Sequence, residues 1–358
     1  MIVDEDTGIY NWLLATSRGK QIPLFGMIEL TGQCNLYCRH CFVTSEERKA
    51  PGLTTQQYIK LLEQMHKSGA FFVILSGGEI FLRTDLFTII EKAKELRLSV
   101  RLFTNGTLIT REVAHKITTL YPEAVEISLY GAKNNTHDWL TRVPGSFEKT
   151  VAAIELLTER GVLVVVKNVW MRFNWSEADD WLTLVEKLGG VPRWSANVVP
   201  ENNGGLSPTE LRLNDEQLME LYDWELAWKQ KNDRFKNSYP EETCNKINND
   251  GNNLERVMGC GATINNYLID FRGEVMPCPQ IRLSAGNVLN APFGHIWKNS
   301  RLFNQLRAMR DLPVSGCQGC TYWRHCNRCP GLAWIEDGGF TLPSSWACKI
   351  ARIYSEVE

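Results

Sequence analysis

Six short apolar runs recur along the first two-thirds of the chain: MIEL (27–30), FFVIL (71–75), SVRLFT (99–104), AVEISLY (124–130), VLVVVKN (162–168) and RWSANVV (193–199). Most are near-continuous rather than alternating, the pattern of parallel strands covered on both faces. Between them lie stretches of helical period. Residues 54–68 open with a Thr54-x-x-Gln57 capping box and repeat apolar side chains at Tyr58, Leu61, Leu62 and Met65. Similar patterns cover 85–96, 111–120, 147–159 and 177–188. This alternation predicts right-handed βαβ units and an α/β fold, either a barrel or an open doubly wound sheet.

A further helix over 215–231 leaves the repeat, and an Asn-rich polar stretch, 231–255, reads as a linker. Beyond it the composition changes. Seven of the eleven cysteines fall in the last hundred residues: Cys260, Cys278, Cys317, Cys320, Cys326, Cys329 and Cys348. The expected organisation is an N-terminal segment (1–25), an α/β domain (26–230), a linker (231–258) and a small cysteine-rich domain (259–358) in which metals replace a large apolar core.

Charge narrows the function classes. Lys plus Arg (39) nearly balances Asp plus Glu (41), so no whole-chain field points to nucleic acid or to a membrane. The acidic start, MIVDEDTGIYNW, lacks the apolar stretch of a secretory signal, and GVLVVV (161–166) is too brief to span a bilayer. The expectation is a soluble cytoplasmic protein, a compartment where thiols stay reduced and cysteines serve as ligands.

Immediately after the first strand, GQCNLYCRHCF places Cys34, Cys38 and Cys41 in a C-x3-C-x2-C loop. Three thiolates this close suit three irons of a cubane, leaving one iron open for chemistry. On spacing alone a three-cysteine zinc loop stays open as an alternative. Next, ILSGGEIF sets Gly77, Gly78 and Glu79 at the end of the second strand, FTNGTL follows the third, and ISLYG ends the fourth. The carboxyl ends of parallel strands are where such folds bind ligands.

Over residues 25–200 the cysteine loop, GGE and TNG together resemble the radical S-adenosylmethionine (SAM) superfamily. The resemblance implies a partial (β/α)6 barrel with a 4Fe–4S cluster on Cys34, Cys38 and Cys41 and SAM chelating the open iron. It implies further that His40 lies beside the adenine, that Gly77, Gly78 and Glu79 hold the SAM amino group, and that Asn105, Ser128 and Arg142 contact the ribose and carboxylate. Ile80 departs from the pattern, since Pro usually follows GGE.

The terminal cysteines, Cys260-x12-Gly273-x4-Cys278, then Cys317-x2-Cys320-x5-Cys326-x2-Cys329, then Cys348, resemble the SPASM extension with two auxiliary 4Fe–4S clusters. The resemblance assigns Cys260, Cys278 and Cys329 to the nearer cluster, with Cys244 a candidate fourth ligand, and Cys317, Cys320, Cys326 and Cys348 to the farther one. The interval before Cys329 is one residue shorter than usual, and zinc is the alternative for the 317–329 knuckle. Gly273 predicts a hairpin of NYLID and EVMPC about FRG.

By resemblance, electron transfer to bound SAM releases a 5′-deoxyadenosyl radical, which abstracts hydrogen from the substrate. The layout is similar to maturases of ribosomally made peptides. Pro279 stands where anaerobic sulfatase maturases carry an Asp base, which argues against that reaction. The 26 residues before the first strand are too few for a winged-helix peptide-recognition module, so a leader peptide is expected to be recognised by a separate protein or by the barrel mouth, with flavodoxin or ferredoxin as external reductant. Tetrapyrrole modification is the alternative substrate class. A non-catalytic iron–sulfur carrier is a third reading, against which GGE and TNG speak. Trp139, Trp170, Trp175 and Trp194 are candidates either for a substrate cavity or for aromatic core.

Overall fold

The computed structural model describes residues 8–232 and 259–357; Cys244, most of the linker and residues 1–7 lie outside the described residues. Six parallel strands form in chain order: β1 (Phe25–Glu29), β2 (Phe72–Ser76), β3 (Ser99–Thr104), β4 (Ala124–Ser128), β5 (Val164–Val169) and β6 (Val191–Ser195). Their spatial order runs β6-β5-β4-β3-β2-β1 without reversal. A doubly wound sheet reverses its strand order at a switch point. This one does not, and the partial (β/α)6 barrel follows.

The connecting helices are Thr55–Lys67, Leu86–Glu95, Arg111–Leu120, Ser146–Thr158 and Ala178–Lys187, all within two residues of the periodicity. Thr54 and Gln57 make both hydrogen bonds of the expected capping box. Three α-helices of the described barrel region went unpredicted, Gly8–Gly19, Ser45–Lys49 and Asn134–Thr141.

The connecting helices pack on one face of the sheet. Ile28, Val73, Leu75, Val100, Leu102, Val125, Ile127, Val164 and Val166 all point into that layer and are at most 1 % exposed. The second face is buried as well at Glu29, Ala124, Glu126 and Val165, at most 6 % exposed, but its lining is partly charged. The opposite face carries Glu29, Arg101, Phe103, Glu126, Ser128, Lys167 and Arg193, as the register fixes (Phe103 beside Glu126; Ser128 beside Lys167 beside Arg193).

The predicted hairpin forms, as β7 (Asn266–Ile269) and β8 (Glu274–Met276), with Gly273 at φ +88° in its turn. Only Gly tolerates that angle without cost. A short β9 (Gly286–Asn287) extends it. The hairpin does not stand apart: β7 pairs parallel with the free edge of β1, giving one nine-stranded sheet.

The rest of the C-terminal region is four helices, Phe293–Asn299, Arg301–Met309, Pro330–Asp337 and Ser345–Val357. Its local apolar cluster is small: Ala262, Ile281, Leu306 and Val314, walled by Cys260, Cys278 and Cys317. Two bidentate ion pairs tie this region to the barrel. Arg282 grips Glu29 at 2.8 and 3.0 Å, and Arg212 grips Glu336 at 2.8 and 2.6 Å.

Trp170, Trp175 and Trp194 join Trp181, Trp224 and Trp228 in an edge-to-face cluster, an aromatic core. Trp139 is instead exposed, beneath the Arg39 guanidinium at 4.2 Å.

Candidate active site

The cysteine loop leaves β1 and is clamped on two sides. Gly78 N donates to Thr31 O and Glu79 N to Gln33 O, each at 2.8 Å, so the GGE turn lies directly on the entry to the loop. Glycine is required for this approach. A Cβ at Gly77, whose φ is +135°, would sit 2.4 Å from Thr31 O, and one at Gly78 2.1 Å from Gln33 O. On the other side, Tyr37 N and Arg39 N donate to Thr141 O and Leu140 O at the end of the Asn134–Thr141 helix.

Glu79 is 0 % exposed. Its Oε1 accepts from Phe81 N (3.0 Å) and Thr104 Oγ1 (2.8 Å), and its Oε2 from Asn105 N (2.8 Å). Burial pushes its carboxyl above the usual range against those donors. The side chain thus ties GGE to the TNG turn. Asn105 in turn donates Nδ2–H to Asn35 Oδ1 at 2.9 Å and lies 3.8 Å from Cys34 Sγ. GGE, TNG and the cysteine loop form one hydrogen-bonded unit.

Cys34, Cys38 and Cys41 are mutual electrostatic neighbours. Burial pushes the Cys34 thiol up, and it pushes Cys38 up further, where the Cys41 and Cys34 charges add to the effect. Such thiols ionise together only when a cation replaces their protons. Arg48, from the Ser45–Lys49 helix, supplies a positive charge: Nη2 lies 3.2 Å from Cys41 Sγ and Nη1 donates to Leu36 O at 2.6 Å. Sequence reasoning missed Arg48, which sits seven residues past the last cysteine without a recognised spacing.

His40 packs edge-on against Tyr130 at 4.6 Å, and Tyr130 stacks on His137 at 5.8 Å. His137 Nδ1 accepts from Tyr130 N at 3.1 Å, so its proton is on Nε2. Among the described residues, His40 Nδ1 and His137 Nε2 are buried without a hydrogen-bond partner. Burial lowers both imidazoles to about 4, keeping them neutral. Ser128 ends β4 beside them, whereas Arg142 is exposed, in the left-handed region at φ 59° just past Thr141. The structure brings His40, Glu79, Asn105 and Ser128 to one end of the sheet and leaves the Arg142 side chain at the surface.

The terminal cysteines fall into two groups. Burial raises Cys278, with Cys260 and Cys329 as its charged neighbours; burial raises Cys326 to about 11, with Cys348, Cys317 and Cys320 around it. No disulfide joins any of the ten described cysteines. No three His, Cys, Asp or Glu side chains among the described residues converge on a single-ion position. Arg328, also missed, interacts with Cys317, Cys329, Cys326 and Cys348, spanning the two groups.

Two family models match the chain. The radical SAM superfamily matches residues 28–185, and an iron–sulfur cluster-binding domain, SPASM, matches residues 260–330. Mycofactocin maturase MftC of Mycolicibacterium smegmatis is 31 % identical over 314 residues, 86 % of this chain and 78 % of that protein. The chain belongs to the radical SAM superfamily.

The AdoMet-dependent heme synthase of Methanosarcina barkeri is 28 % identical over 330 residues, 87 % of this radical SAM enzyme and 92 % of its relative. The fold matches Streptococcus suis SuiB bound to precursor peptide SuiA, with a TM-score of 0.71 at 17 % identity, covering 96 % of this chain and 82 % of that one. As a radical SAM enzyme with a SPASM domain, the protein uses 4Fe–4S clusters and SAM. No helix among the described residues is long and apolar enough to cross a membrane.

Proposed function

We propose that this radical SAM enzyme is a maturase that modifies a side chain of a ribosomally made peptide or protein. The observation that carries the reading is the 31 % identity to a maturase over 86 % of the chain. Similarity to the subtilosin biosynthesis protein AlbA of Bacillus subtilis (28 % over 84 % of the chain) supports it. Cys34, Cys38 and Cys41 hold the SAM-binding cluster, Cys260, Cys278 and Cys329 the nearer auxiliary cluster, and Cys317, Cys320, Cys326 and Cys348 the farther one.

The donor sets fit this assignment. A zinc ion needs four ligands about 2.3 Å from one centre, whereas a cubane takes one thiolate per iron. Neighbouring thiols that share no single-ion position suit the second arrangement. The orphaned ring nitrogens of His40 and His137 are hydrogen-bonding groups to which a bound nucleoside can offer partners.

Held by Cys34, Cys38 and Cys41, the reduced cluster with SAM would supply the chemistry of hydrogen-atom abstraction from the substrate. The chain's own part is positional. Gly77 and Gly78 let GGE clamp the loop, Glu79 fixes the TNG turn, neutral His40 and His137 present hydrogen-bonding groups without adding charge, and the sheet face opposite the connecting helices holds the target. An external reductant of the flavodoxin or ferredoxin type supplies the electron, and a separate recognition protein or the barrel mouth takes the peptide.

The heme synthase relative, covered over 92 % of its length, favours a second reading, tetrapyrrole side-chain modification. Mass spectrometry decides between them. Reconstituted enzyme with SAM and dithionite should change the mass of a short Cys-, Trp- or Tyr-bearing peptide encoded beside the gene. A change to an iron-containing tetrapyrrole precursor, with the peptide untouched, would replace the maturase reading.

A further inference from the structure

The face opposite the connecting helices carries more positive charge than it neutralises. Glu126, with its side chain 2 % exposed, is approached by Arg101 at 3.3 Å, Lys167 at 3.3 Å and Arg193 at 3.5 Å. Arg101 also binds Glu123 at 2.5 Å. Three cations therefore share two carboxylates. The contacts to Glu126 are long, and its Oε2 makes no hydrogen bond among the described residues. The cations are held near the carboxylate without being saturated by it.

Their exposure is graded. Glu126 lies at the bottom, while the Lys167 and Arg193 side chains are 25 % and 37 % exposed. An anion reaching this face meets the cations before the carboxylate. Lys167 is held in place by the Phe103 ring, 3.2 Å beneath its Nζ. Lys167 and Arg193 pair in register with each other and with Ser128, in the row of side chains two residues before β5 and β6 end. That places them on the same face and at the same end as the cysteine loop. A charge surplus on partly exposed side chains is a poor device for stability, because exposed ion pairs contribute little. It is a suitable device for receiving an anion, since Arg and Lys form charge-assisted hydrogen bonds with carboxylates.

We propose that Lys167 and Arg193, backed by Arg101, form a carboxylate-binding station that takes an acidic group of the substrate beside the site of radical generation. The location relative to the radical rests on the proposed function; the binding of a carboxylate by these side chains does not.

The test uses full-length, cluster-reconstituted protein under anaerobic conditions, with glutarate as probe and neutral glutaramide as control, followed by calorimetry at fixed ionic strength. Wild type should bind glutarate and not glutaramide. Arg193→Met and Lys167→Met should each weaken glutarate binding about tenfold, as expected for one lost charge-assisted hydrogen bond. Glu126→Gln should bind glutarate more tightly than wild type, because it releases the cations; a purely structural network predicts no gain. Circular dichroism and the iron content identify any variant that fails to fold, and Arg193, at the edge strand and the most exposed of the three, is the variant least subject to that failure.

Equal glutarate binding by wild type and Arg193→Met, or none by wild type, overturns the proposal. SAM and decarboxylated SAM form the second arm. If Lys167→Met weakens SAM but spares decarboxylated SAM, the station holds the cofactor's own carboxylate and the substrate assignment is overturned. Glutarate binding through these residues in a protein that leaves every peptide unchanged supports the station and sinks only the peptide reading.

Discussion

Arg48 Nη2 lies 3.2 Å from Cys41 Sγ, a charge-assisted contact from a helix outside the cysteine loop. Burial opposes the guanidinium's charge, and Cys41, Cys34 and Cys38 outweigh it. A fixed cation beside the thiolates stabilises the reduced, more negative state of a cluster, so it raises the potential. Arg48→Met should lower the midpoint of the SAM-binding cluster by roughly 59 mV, a tenfold change for a one-electron couple. Arg48→Lys should keep most of it. Redox titration followed by electron paramagnetic resonance is the measurement; an unchanged midpoint at full iron content would mean the contact is only mechanical.

Ten motif cysteines imply about twelve iron and about twelve sulfide per chain. Replacing Cys34, Cys38 and Cys41 together by Ala should reduce iron to about eight and abolish reductive SAM cleavage. Iron analysis and chromatography of 5′-deoxyadenosine check both. Iron near four with bound zinc in the wild type would overturn the auxiliary assignment and spare the barrel cluster.

Gly78→Ala drives a methyl group against Gln33 O, 2.1 Å away in the present backbone. Overpacking of this kind costs about 1–3 kcal/mol, and here the strained partner is backbone at the mouth of the cysteine loop. The variant should melt several degrees lower and retain less iron in the SAM-binding cluster. Wild-type melting and iron retention would show that the clamp yields freely.

Cys317→Ala with Cys320→Ala separates electron transfer from scaffolding in the C-terminal region. If the farther cluster is a conduit, the variant still fragments SAM and makes no product. If the cluster mainly replaces the missing core, which has only four buried residues in its local apolar cluster, the variant loses solubility or SAM binding. A soluble variant giving normal product would defeat both roles.

Much of the barrel was legible because local rules and packing agree. The Thr54 capping box, the apolar face of Tyr58, Leu61, Leu62 and Met65, and the hairpin turn at Gly273 each depend on neighbours in the chain. The strands were found, but the charges on their second face were not weighed. Lys167 and Arg193 lie inside the runs 162–168 and 193–199, and reading those runs as near-continuous apolar stretches gave too little weight to single charges. The pairing of β7 with β1 joins residues about 240 apart in sequence, and no local pattern encodes it. Arg48 and Arg328 lie close in sequence to their cysteines, but no recognised spacing marks a cation beside a thiolate loop. Glu79 was recognised as a motif residue, yet its hydrogen bonds to Thr104 and Asn105 depend on how two turns meet in space.

The junction of β7 with β1 has a further consequence, for the solubility of fragments. A chain ending near residue 230 would leave β1 with a bare row of N–H and C=O groups, now paired from Phe25 to Ile28 with Asn266 to Ile269. It would also leave Glu29 without Arg282. An unprotected strand edge recruits other chains, so the excised barrel should self-associate even if its helices form. The cysteine-rich region is thus an edge guard for the very strand that launches the cysteine loop, and neither half of the molecule is a natural unit for separate expression.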